Sequence, residues 1–135
     1  MKSEVTGVEP QNEADEIEAL MRPMLKKRLF VVMWSAVDRP DLIRRHLLEH
    51  LRYIVELERS DVLFASGPFS QGEDVRLGDG MTILRADSAD QARAIAEQDP
   101  FVRQRARTFS IKQWTINEGS LSVKVKFSDT SVILP

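Results

Sequence analysis

There is no cysteine among the 135 residues, so disulfides, thiolate metal sites and sulfur nucleophiles are all excluded. No apolar run approaches the roughly 18 residues that a membrane helix needs. The opening segment MKSEVTGVEPQNEADEIEALM is acidic and lacks the apolar stretch of a signal peptide, so a soluble, cytoplasmic protein with no membrane association is expected. Basic charge is not in excess either: 19 Lys plus Arg face 21 Asp plus Glu, a formal charge of −2, and the basic residues are scattered. Nothing in that balance favours a nucleic-acid partner. Also missing are a serine nucleophile elbow, a P-loop, a Gly-x-Gly-x-x-Gly turn, carboxylates at metal-loop spacing and any internal repeat.

What is present is a succession of strand and helix signals on a length that suits one domain. Residues 1 to 12 read as a flexible lead, and Ile17, Leu20, Met21 and Met24 then recur at helical spacing in a short acidic helix. That helix would dock on its own domain or reach a neighbouring subunit. RLFVVMWSA is apolar in both alternating sets, Leu29/Val31/Met33 and Phe30/Val32/Trp34, which marks a central strand buried on both faces. DRPDLIRRHLLEHLRYIVELERSD predicts one long amphipathic helix, with Asp38 as N-cap, Pro40 in the first turn, and a buried stripe of Leu47, Leu48, Leu51, Ile54 and Val55. DVLFASGPFS is a second strand, QGEDVRLGDG a mobile loop, and MTILRAD a third strand. Ser88 and Gln91 make a capping box for a second helix, which Pro100 stops after Asp99. RTFSIKQWTI and SLSVKVKF follow as strands joined by a turn at Asn117-Glu118-Gly119.

This order is α+β, a ferredoxin-like βαββαβ sandwich with an extra C-terminal hairpin strand. The expected divisions are an N-terminal extension over 1–27, the domain over 28–128 and a tail over 129–135. Two helices cover one face of the sheet, and a second copy of the chain, sheet against sheet in a homodimer, is the economical cover for the other.

The stretch HLLEH, with His46, Glu49 and His50, has the order of an inverted zinc-peptidase signature. Such a site needs a third protein ligand. The downstream glutamates Glu97 and Glu118 have no motif around them, so no metal is expected and His46 and Glu49 read as bystanders. A more attractive chemistry pairs His50 with a carboxylate, since an imidazole beside an anion can act as general acid or base. The Gly-Pro turn in ASGPF lets main chain approach a ligand, and Asp99 is held in extended backbone by the proline that follows it.

His50 on the first helix, ASGPF at 65–69, DPF at 99–101 and a closing strand with Trp114 together resemble the YCII-related domain family of the dimeric α+β barrel superfamily. The resemblance covers roughly residues 28 to 116. It implies a ferredoxin-like protomer, pairing sheet to sheet, with a small pocket near His50. Asp99 takes the place of the family's carboxylate. The further acidic position near the end of the first helix falls on Arg59 or Ser60, with Asp61 and Glu56 close by, so the partner of His50 stays open among Asp99, Asp61 and Glu56.

One line of the family eliminates chloride from a chlorinated hydroxyquinol, and relatives isomerise lactones or oxygenate without cofactors. The expectation is therefore a cofactor-independent lyase or isomerase acting on a small molecule. His50 and Asp99 are its catalytic pair, and Trp34, Ser66, Gly67, Pro68, Phe69 and Phe101 its substrate contacts. The alternative is a non-catalytic dimer that binds a metabolite or another protein.

Overall fold

The structure, a computed structural model, describes residues 10–134 apart from the side chains of residues 10 and 74–76. Most of the lead expected over 1–12 lies outside the described residues. Those that are described divide into two units, Arg28–Thr115 and the segments on either side of it.

The central unit is built on a four-stranded antiparallel sheet, with β1 (Lys27–Ala36), β2 (Leu63–Gln71), β3 (Asp74–Leu84) and β4 (Arg107–Ile116) ordered β2-β3-β1-β4. With helices between β1 and β2 and between β3 and β4, this is the ferredoxin-like arrangement read from the sequence. The double alternation in β1 has the expected result, because Leu29 and Val31 are buried as well as Phe30, Val32 and Trp34. The helix-side core joins Phe30, Val32 and Trp34 to Leu63, Leu84, Ala92 and Ala96, with Phe109 and Ile111 of β4 packed against them.

The first helical segment differs from its expected form. It is broken at His46 into α2 (Pro40–Arg45) and α3 (Leu47–Arg59). Asp38 is not the N-cap: its φ of 52° puts it in the left-handed region, where Asp is tolerated, and Arg39 takes the cap position without a side-chain cap bond. The stripe that faces the core is also rotated. Ile54 and Leu57 pack on it, whereas Leu47, Leu48, Leu51 and Val55 stay exposed. The inward set is thus 50, 54 and 57, an i, i+4, i+7 series that carries His50 on the core side.

The loop expected over 71–80 is mostly strand. β2 and β3 form a hairpin with Ser70 opposite Val75 and Gln71 opposite Asp74, leaving only Gly72 and Glu73 between the strands. Gly78 and Gly80 serve close packing inside β3. Gly78 has φ +97° and would put a Cβ 2.9 Å from the Ala36 Cβ, and a Cβ on Gly80 would lie 2.6 Å from the Gly67 carbonyl oxygen. α4 (Ala89–Glu97) starts as expected, with Ser88 Oγ accepting from Gln91 N–H; the Gln91 side chain reaches back to Asp87 N–H rather than to that of Ser88. α5 (Pro100–Arg103) then leads to β4.

In the other unit a helix is present, but α1 (Pro10–Met21) begins within the lead read as flexible and ends before Met24, and Ile17, Leu20 and Met21 are exposed and form no buried face. The C-terminal strand does not extend the main sheet. β5 (Lys124–Val125) pairs with β6 (Val132–Ile133) in a separate two-stranded ribbon.

Candidate active site

Asp99 organises the site through its position at the start of α5. It is the N-cap, with extended backbone at φ −58°, ψ 126°, and its Oδ1 accepts the Phe101 N–H at 3.3 Å while Pro100 fills the first helical position. The carboxylate is fully buried, 0 % exposed, so its remaining acceptor capacity must be met by protein. Two side chains meet it. His50 Nδ1 lies 2.8 Å from Oδ1, and Arg107 donates from Nε to Oδ2 at 2.8 Å.

Arg107 is the residue that the sequence reading missed. It opens β4 on the same alternation as Phe109 and Ile111, which face the core, and a cation in that set was the available signal. The side chain is 6 % exposed. Its guanidinium lies 3.8 Å from the Trp34 ring centroid and 4.9 Å from that of Phe101, and Nη1 donates to the Gly78 carbonyl at 3.3 Å. Burial pulls its pKa below the ordinary arginine value, opposed by the Asp99 charge. Nη2 approaches Asp99 Oδ2 to 2.7 Å without a directed hydrogen bond.

His50 is therefore held on three sides. Asp99 takes Nδ1, the Phe101 ring stacks on the imidazole at 4.2 Å and 17°, and the α3 backbone fixes its height. A carboxylate paired with a guanidinium is an acceptor only, so Nδ1 carries the proton of the neutral ring and Nε2 keeps its lone pair. Of the three carboxylates left open, Asp99 is the one at hydrogen-bond distance. Asp61 instead lies 3.4 Å from Arg85.

The cavity beside this group has a volume of about 360 Å³, within the range of small-molecule sites. His50, Trp34, Phe101 and Arg107 line it, together with Ile43, Leu47, Leu51 and Ile54 of the helices, Ser66–Pro68 of β2 and Leu77–Gly80 of β3. The wall is mainly apolar with a few polar groups. Trp34 Nε1 donates to Thr82 Oγ1 at 2.8 Å, and Ser66 Oγ lies 2.7 Å from the same oxygen. Trp34, Ser66, Gly67, Pro68 and Phe101 are thus brought together with His50 as expected. Phe69 is not: it is 40 % exposed and outside the cavity lining, because the register shift between Pro68 and Ser70 falls beside it. Asp99 stands behind the wall and reaches the cavity only through His50 and Arg107.

His46 is apart from this cluster. Its Nδ1 is 4.0 Å from Glu49, and among the described residues no three His, Asp or Glu side chains come together to hold a metal ion. Among those residues, too, no helix is long and apolar enough to cross a membrane.

Tyr53, one turn from His50, donates its hydroxyl proton to the Ile95 carbonyl. Burial, with the Asp99 charge adding and Arg107 opposing, raises its pKa well above the ordinary phenol value. The folded state thus keeps the proton more tightly than the unfolded chain, which titrates at about 10. The resulting stability is whole below that pH and is lost as pH rises through the folded-state value. Because Tyr53 is the chain's one tyrosine, an ultraviolet titration checks it: no phenolate step near pH 10 in folded protein, and a normal step in denaturant.

The family model for the YCII-related domain matches residues 30–115, and the chain belongs to that family. Its boundary at 115 coincides with the end of the central unit and precedes the 128 drawn from the sequence. Among solved structures, the chain is similar to 5-chloro-2-hydroxyhydroquinone dehydrochlorinase from Burkholderia phenoliruptrix, in complex with 2,5-dihydroxybenzoquinone, at 21 % identity and a TM-score of 0.50, covering 64 % of this chain and 92 % of that one. That likeness extends to the fold. No curated protein sequence matches this chain.

Proposed function

We propose that this protein is a cofactor-independent lyase or isomerase that moves a proton on a small, enol- or phenol-type substrate, with His50 as the general base. The observation that carries the reading is the Arg107–Asp99–His50 group at the wall of an apolar cavity. Asp99, anchored by Arg107, orients the ring and leaves Nε2 as the basic nitrogen. In the lyase form, Nε2 takes a substrate proton, the freed electron pair forms a new double bond, and a leaving group such as chloride departs with its own pair. Arg107 offsets the Asp99 charge, so the group is neutral before the transfer and positive after it, which favours the anion formed on the substrate. Trp34 and Phe101 supply flat apolar walls, and Ser66, Gly67 and Pro68 a polar and backbone edge.

Family membership and the fold shared with a dehydrochlorinase support this choice of reaction class. The test is chloride release from 5-chloro-2-hydroxyhydroquinone by the purified protein. Release that depends on His50 supports the reading, whereas a bound ligand recovered unaltered after long incubation favours a non-catalytic binding protein.

A homodimer is part of the same proposal. Phe64 and Phe69 on edge strand β2 and Trp114 on edge strand β4 remain exposed in the single chain, as residues awaiting a partner surface would. Light scattering after size exclusion should then give about twice the 15.4 kDa chain mass; the mass of one chain would contradict it.

A further inference from the structure

We infer that Trp34, Thr82 and Ser66 form a one-way hydrogen-bond relay that makes Ser66 a standing donor at the cavity wall, and that the ligand presents an acceptor oxygen, carbonyl or phenolate, to it. The inference rests on the small-molecule reading of the cavity and adds the ligand chemistry at a second wall, on the sheet rather than the helix.

The direction follows from what each group can do. An indole N–H only donates, so Thr82 Oγ1 accepts from Trp34 at 2.8 Å. Thr82 is 1 % exposed, and Ser66 is the one other partner of its hydroxyl among the described residues. Were Ser66 the donor in that 2.7 Å contact, the Thr82 hydroxyl would accept twice and its own proton would be buried without an acceptor, a costly arrangement. Thr82 therefore donates to Ser66. The Ser66 hydroxyl proton is left over, and Ser66 is the open end of the chain, exposed and lining the cavity.

The register makes the relay rigid. Thr82 stands opposite Val32 on β1 and opposite Ser66 on β2, so one central-strand hydroxyl bridges both neighbours. Trp34 cannot turn away, because Arg107 lies over its ring and Phe109 meets its edge at 5.7 Å. Successive donation in one sense also polarises the terminal O–H. Such a group recognises a carbonyl or phenolate oxygen and discriminates against a ring that lacks one. Ser66 donates to the ligand, Thr82 is a positioning residue, and Trp34, whose ring is part of the apolar wall, orients Thr82 through its N–H.

Two measurements on the full chain test it. In the first, the chain's two tryptophans give two indole N–H signals in a nitrogen-15 correlation spectrum. The Trp34 signal should move in Thr82→Val, stay in Thr82→Ser, and move measurably in Ser66→Ala. An unmoved signal in Thr82→Val would overturn the relay. In the second, calorimetry follows binding of 2,5-dihydroxybenzoquinone, which carries oxygens around one ring. Ser66→Ala should bind about tenfold more weakly, as the loss of one net hydrogen bond implies. Thr82→Val should also weaken binding, Thr82→Ser should restore it, and the Ser66→Ala/Thr82→Val pair should be less than additive. Wild-type affinity in Ser66→Ala would overturn the proposal, and no binding by wild type would overturn the ligand class. Failure of the proton-transfer reading is seen separately, as chloride release indifferent to His50, because calorimetry reads binding without turnover.

Discussion

Truncating Asp99 to alanine should lower the stability of the fold by about 3–5 kcal/mol, the usual result of leaving one member of a buried ion pair alone. Asp99 is fully buried and meets Arg107, His50 and the Phe101 N–H at once. Without it, a guanidinium that is 6 % exposed keeps, among the described residues, the Gly78 carbonyl as its hydrogen-bond acceptor. Against a total stability of about 5–15 kcal/mol, such a loss moves the urea midpoint far down, and equilibrium unfolding followed by circular dichroism measures it. The double variant Asp99→Ala/Arg107→Met removes both charges and should recover much of the loss. A double variant no more stable than Asp99→Ala would show that packing, not charge, makes Asp99 matter.

Replacing His50 with asparagine should cut turnover by about 10²–10⁴-fold, the range for loss of a general acid or base, with the fold intact. Asparagine can donate to Asp99 from roughly the place of Nδ1, so the buried carboxylate keeps a partner, yet nothing stands where Nε2 was. The loss should appear in kcat more than in KM, because the proton moves only in the transition state. Chloride release measured beside a thermal melt separates the two effects. Turnover unchanged in a folded His50→Asn protein would remove His50 from the chemistry.

The parts of this arrangement that were legible in the sequence are those set by periodicity. β1 could be read because both of its alternating sets are apolar and both are buried. His50 and Asp99 were legible as a candidate pair, but Asp61 and Glu56 stayed open beside Asp99 even with the His, GPF and DPF pattern, because only the fold sets Asp99 against the ring. Arg107 escaped because a single arginine opening a strand looks like a solvated end. Its partner lies eight positions earlier, across α5, and only the fold brings them together. The α3 stripe was misplaced because the helix has more apolar positions than its core-facing arc uses, and polar His50 holds one of the inward places. The hairpin over 71–80 was hidden by its glycines, which signal loops in a sequence but at 78 and 80 accommodate close neighbours within a strand.

Asp99, held by Arg107, should keep the ring proton of His50 on Nδ1 and so present a basic Nε2 to the cavity. Nitrogen-15 spectra of the two imidazoles, with His50 assigned by the disappearance of the other spin system in His46→Ala, test it directly. The neutral His50 ring is expected to be protonated at Nδ1 and bare at Nε2. A ring protonated at Nε2 would contradict it.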